Sequence, residues 1–130
     1  MGVPWIIYAT YAITLMPRTT RYPYRADLHA QLVKAAILGK TLTYGELGGG
    51  RFMLGRYLRR IALEEKAAWR PPITALVVTK RHGRPAPGFR GQMQEIGYVR
   101  DGESEEDVWQ RALRDVHDYW RPKLRDELQD

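Results

Sequence analysis

Between residues 25 and 38 apolar side chains recur at three- and four-residue steps (Leu28, Leu32, Ala35 or Ala36, Ile37), the period of one face of a helix. Asp27 stands near the start and Gly39 just past the end, where an acid suits the positive helix terminus and a glycine takes the left-handed turn that closes a helix. Lys40-Thr41-Leu42 is short and extended. Thr43 followed by Glu46 has the spacing of a capping box, so a brief helix opens at Tyr44, and Gly48-Gly49-Gly50 ends it. A longer helix follows from about Phe52 to Ala68. Its packing stripe is Leu54, Leu58, Ile61 and Glu65, and Arg70-Pro71-Pro72 stops it.

Ile73 to Thr79 is β-branched and apolar and predicts a strand; Lys80 to Pro85 reads as a basic turn, and the chain from Phe89 as the returning strand of a hairpin. Ser104-Glu105-Glu106-Asp107 opens a last helix to about Trp120, with Val108, Ala112, Val116, Tyr119 and Trp120 on its apolar side and Pro122 beyond. The simplest role for Trp109, Tyr119 and Trp120 is core; exposed, they would form a patch for a homodimer or another partner. The fold expected is therefore α+β, mainly helical: a single winged-helix domain over 17–130, with a helix-turn-helix over 41–69, a two-stranded wing over 73–98 and an added C-terminal helix over 104–121.

Residues 1–16 carry no charge, and Trp5 to Met16 is an unbroken apolar and threonine-containing run. The segment lacks the basic start of an export signal and falls short of the roughly 20 residues a membrane-spanning helix needs, so no membrane partner is expected. Its β-branched and aromatic content suits an extra strand; alternatively Met16 is the natural start and the preceding residues are a mis-assigned beginning.

Composition sharpens this picture at three points. The chain has 130 residues, one domain's worth, and no cysteine, which excludes a disulfide framework, a thiolate nucleophile and a cysteine-ligated zinc and suits a cytoplasmic setting. The net charge of +6 is unevenly held. Residues 1–100 carry 16 Lys+Arg against 5 Asp+Glu, a net +11, and residues 101–130 carry 5 against 10, a net −5. Within 51–90 the only acids are Glu64 and Glu65, beside ten basic residues.

That window holds the candidate site. Arg51, Arg56, Arg59 and Arg60 project from the long helix, and Lys80, Arg81 and Arg84 stand at the wing tip, which a winged helix places beside the same groove of duplex DNA. Such groups contact phosphates mainly, while Arg56 or Arg60 is the candidate for reading a guanine edge. His82, when protonated, adds charge at the tip. His29, His82 and His117 show no metal-ligand spacing, the triple glycine lacks the Lys-Ser/Thr of a phosphate-binding loop, and Glu64-Glu65 point to different sides of one helix. No cofactor, metal or catalytic constellation is expected.

Gly39-Lys40-Thr41-Leu42-Thr43-Tyr44-Gly45-Glu46-Leu47 resembles the DNA-binding domain of alkylguanine-DNA alkyltransferases and alkyltransferase-like proteins, whose segment reads roughly G-K-V-T-T-Y-G-D-I-A. The resemblance extends over about fifty residues. It implies that Arg56-Tyr57-Leu58-Arg59-Arg60-Ile61 corresponds to the family's arginine-finger segment, that Tyr44 contacts backbone phosphate, and that Ile73 to Val78 corresponds to the P-C-H-R-V-V strand. The reactive cysteine position then falls on Thr74 and its histidine neighbour on Ala75, so alkyl transfer to a thiol is excluded.

The leading expectation is a non-enzymatic winged-helix protein that binds duplex DNA, in regulation or in DNA targeting for a prokaryotic or phage defence or mobile element. An adaptor that receives an acidic protein on the basic face is the second reading, and recognition of a damaged or modified base by nucleotide flipping the third.

Overall fold

The structure, a computed structural model, describes residues 22–48 and 51–129. The expectations for residues 1–16 and for Gly49 and Gly50 lie outside the described residues. The element order is α1 (Ala26–Leu38), β1 (Leu42–Thr43), α2 (Tyr44–Leu47), α3 (Arg51–Ala67), a 3₁₀ turn (Ile73–Leu76), β2 (Val77–Val78), α4 (Phe89–Glu95) and α5 (Glu105–Gln129). The chain is α+β and mainly helical.

The helix ends follow local chemistry. Gly39, at φ 70°, closes α1 by sending its N–H to Ala36 O and the Lys40 N–H to Ala35 O, the paired bonds of a Schellman motif. Thr43 Oγ1 accepts the Glu46 N–H at 3.2 Å and opens α2. Ser104 and Asp107 cap α5 reciprocally, each side chain accepting the other's backbone N–H at 3.1 Å. Helix α3 ends in the same Schellman pattern as α1, with Trp69 N–H to Lys66 O and Arg70 N–H to Glu65 O, but its left-handed residue is Trp69, at φ 58°.

The segment 73–78 is the spine. Ile73, Leu76 and Val77 pack into one apolar cluster with Leu28 and Leu32 of α1, Leu58 and Ile61 of α3 and Val116 of α5. Ala75 and Val78 pack into a second with Phe89, Met93, Val108, Trp109 and Ala112. All six residues are buried. A run that is covered on every side has no polar face to alternate with, which is why it reads as continuously apolar.

That burial explains where the hairpin expectation fails. Within this segment only Val77–Val78 is strand, and it pairs in parallel with β1, Leu42 opposite Val77 and Thr43 opposite Val78. The expected returning strand from Phe89 is instead α4. Pro85 and Pro87 have no N–H to give a ladder, Gly88 takes φ 97° and turns the chain, and Phe89, Met93 and Ile96 then fall at helical spacing onto the second cluster. The expected stop at Pro122 also fails, since α5 runs on to Gln129. Pro122 is exposed, so water can satisfy the carbonyl it leaves unpaired one turn earlier.

Candidate nucleic-acid interface

Thr79 shapes the basic loop. Its N–H donates to Arg84 O at 2.7 Å, its carbonyl accepts the Gly83 N–H at 2.8 Å, and its hydroxyl accepts the His82 N–H at 3.3 Å. Gly83, at φ 64°, supplies the left-handed residue this tight closure requires. With the backbone polar groups turned inward, Lys80, Arg81, His82 and Arg84 are all exposed. Lys80 and Arg81 have no carboxylate partner among the described residues. Arg84 pairs with Glu106 at 3.3 Å, both side chains open to solvent, an arrangement worth no more than about 1 kcal/mol.

The loop forms one rim of a cleft of about 810 Å³. Tyr44, Leu54, Pro85, Pro87 and Trp109 also line it, as do Glu105 and Glu106 of α5, the latter in its pair with Arg84. Trp109 is fixed by its Nε1–H donating to Ala75 O at 3.0 Å. Pro85, Pro87 and Tyr44 also border a smaller recess of about 30 Å³, where Thr74 Oγ1 is buried with no partner among the described residues.

Of the eight candidate residues, this cleft brings together Tyr44, Lys80, Arg81 and Arg84. The arginines of α3 behave differently. Arg51 begins the helix, its side chain lying outside the described residues. Arg56 is exposed and unpartnered among them, but it follows Leu54 by two positions, roughly 200° round the helix from the cleft wall. Arg59 ion-pairs with Glu95 of α4 and lies over the Tyr22 ring at 4.9 Å. Arg60 donates to Glu64 Oε1 at 2.8 Å and to Tyr22 O at 2.7 Å, and lies over the Tyr24 ring. These two tie neighbouring segments to α3, which leaves Arg56 in its second turn and Lys66 in its last turn exposed without a carboxylate partner among the described residues.

The most constrained charge is one that composition hides. Glu65 has no solvent exposure; its Oε1 accepts from His29 Nε2 at 2.7 Å and from Arg70 Nη2 at 2.8 Å, and Tyr24 OH donates to His29 Nδ1 at 2.7 Å. Burial alone would raise the Glu65 carboxyl, but the hydrogen bonds from His29 and Arg70 outweigh it and hold the carboxyl below its ordinary value. A glutamate on the apolar stripe of α3 was the sequence signal for this network; its partners were not signalled. A second cluster fastens the loop before α5: Arg111 donates to Glu103 and to Tyr98 O, and Tyr98 OH donates to Asp115. The Arg111 bond holds the Glu103 carboxyl at about 2.

Among the described residues no group of three His, Asp or Glu side chains is placed to hold a metal, and no helix is long and apolar enough to cross a membrane. The fold and cleft thus define an α+β, mainly helical chain with a largely apolar cleft bordered by Lys80, Arg81, Arg84, Glu105 and Glu106. No family model matches the chain, and neither does any curated protein or solved structure.

Proposed function

We propose that the chain is a non-enzymatic DNA-binding protein: a winged helix whose wing is reduced to the loop 79–84, with that loop and the first turns of α3 contacting duplex DNA. One observation carries this reading. Lys80 and Arg81 are exposed and form no ion pair among the described residues, on a cleft they share with Tyr44, Leu54 of α3 and Glu105 and Glu106 of α5, and Arg84 is held only by a weak surface pair. Groups in this state are those that phosphate neutralises with release of counterions. Tyr44, on the cleft wall, adds an aromatic side chain at the same place. The role is regulation or DNA targeting in a cytoplasmic setting. The test is binding to a labelled duplex at rising salt. Retention at about 50 mM salt that weakens steeply toward 200 mM supports the reading, and no retention at about 50 mM rejects it.

A second reading, nucleotide flipping, is favoured by the cleft itself. Its volume of about 810 Å³ and its apolar lining of Leu54, Pro85, Pro87 and Trp109 suit a base taken out of the stack. A fluorescent base analogue that brightens on binding separates this reading from plain duplex contact.

A further inference from the structure

The cleft bordered by the loop 79–84 carries both signs of charge. Its fixed charges are Lys80, Arg81 and Arg84 on the loop and Glu105 and Glu106 in the first turn of α5. Arg84 and Glu106 neutralise each other in their own pair, and Glu106 also accepts from Gln110 Nε2 at 3.1 Å. That leaves two cations, Lys80 and Arg81, and one carboxylate, Glu105, exposed and in no ion pair among the described residues. Local hydrogen bonds hold both signs in place. Thr79 closes the loop that carries the cations, and the reciprocal cap of Ser104 and Asp107 fixes the turn that carries Glu105. Backbone already held in this way loses little freedom when a ligand arrives.

The rest of the lining describes the body of the ligand. Tyr44 and Trp109 bring two aromatic side chains, and Leu54, Pro85 and Pro87 are apolar. A space of about 810 Å³ falls in the range of roughly 300–1,000 Å³ that takes one small molecule. Such a lining is complementary to an aromatic ring that carries an anionic group and a hydrogen-bond donor. A phosphate monoester, at about −1.5 to −2 charges near neutral pH, matches two cations better than a single carboxylate does. A ring amine donates to a glutamate as the cytosine N4 amine does. A nucleoside monophosphate with an amino-bearing base has all three parts.

We propose that the cleft binds a free nucleoside monophosphate whose base carries an exocyclic amino group, with the phosphate on Lys80 and Arg81, the base among the apolar side chains and the amine donating to Glu105. The flipping reading uses the same cleft, but here the nucleotide comes from solution, so the site does not depend on the chain binding DNA.

Isothermal titration of the full chain with the monophosphates of cytidine, adenosine, guanosine and uridine tests this. The tightest of the three amino-bearing nucleotides binds roughly tenfold more strongly than the uridine compound, which lacks the amine. Lys80→Ala with Arg81→Ala weakens that nucleotide and the uridine compound alike, by roughly tenfold, because both keep the phosphate. Glu105→Gln brings the two within about twofold of each other, since the acceptor for the amine has lost its charge. All three side chains are exposed, so circular dichroism and Tm of the variants match the wild type. No binding of any monophosphate, uridine monophosphate binding as tightly as the best of the others, or an unchanged preference in Glu105→Gln overturns the proposal. A duplex carrying the fluorescent base analogue separates the two sources of nucleotide: brightening without binding of any free monophosphate overturns the free ligand and leaves flipping standing. Binding of the monophosphate by a chain that does not retain duplex at about 50 mM salt supports the site and rejects only the DNA-binding reading.

Discussion

At one end of α3, Arg70 lies against a carboxylate with no solvent exposure, and that carboxylate also holds a buried histidine. At the other end Arg56 faces water with no partner among the described residues, next to an exposed phenylalanine. The residue type is the same and its surroundings are opposite. Arg59 and Arg60, in the middle of the helix, belong with the first kind: both are held by glutamates and by the tyrosines at 22 and 24. Positive charge on a helix is therefore no measure of a binding face. Charge with a carboxylate on its guanidinium holds the fold, and charge left over is available to a polyanion.

The difference between the two ends breaks most visibly at Glu65. Glu65→Ala leaves His29 and Arg70 without their shared acceptor, and breaking such a pair in the core costs about 3 kcal/mol, seen as a fall of roughly 10 °C in Tm. A variant as stable as the wild type would place the network outside the stability of the fold.

At the open end the expected change is in binding and not in stability. Lys80→Ala with Arg81→Ala lowers the slope of log K against log salt by about 1.8 for duplex DNA, close to 0.9 for each phosphate no longer neutralised, with Tm unchanged. An unchanged slope would show that the loop does not touch the backbone.

Acid acts on the paired carboxylates of the fold. Glu65 and Glu103 both have carboxyls held below their unfolded values, so the unfolded chain binds more protons than the folded one and stability falls as pH falls. For Glu103 the loss runs from about 4.5 down to about 2. Urea midpoints at pH 6, 4 and 3 should decline in that order, and a flat series would contradict the geometry of both carboxylates.

The smallest effect is expected at Trp69, which is 95% exposed and occupies the left-handed position that Gly39 fills in α1. Trp69→Gly relieves the backbone cost of that conformation and raises stability by about 0.5 to 1 kcal/mol, less than the full left-handed penalty because glycine gives up more chain entropy. Equilibrium unfolding in urea reads this directly.

What was legible in the sequence was local. The capping residues Thr43 and Ser104, the glycine after Leu38 and the apolar stripes of α1, α3 and α5 mark their elements because each rests on interactions within one or two turns. The position of Glu65 on an apolar stripe was also visible. What was not legible depends on partners far along the chain. Glu95 lies 36 residues from Arg59, and His29 lies 36 from Glu65, so nothing near either arginine or glutamate marks it as taken. Residues 73–78 resemble one strand of a hairpin when β-branched content is weighed without asking why the run lacks alternation; burial on all sides is the answer. The helix at 89–95 is masked in the sequence by the two prolines before it, although Phe89, Met93 and Ile96 already carry its period.

The unpartnered cations, and not the paired ones, are the groups expected to meet duplex DNA. Anisotropy titrations of a labelled duplex between about 50 and 200 mM salt test this most directly, comparing the wild type with Arg56→Ala, with the Lys80 and Arg81 double variant, and with Arg59→Gln. The salt slope should fall by about 0.9 for Arg56→Ala and about 1.8 for the double variant, and hold for Arg59→Gln in folded protein. Equal losses at Arg59 and Arg56, or no retention of the duplex at about 50 mM salt, would contradict it.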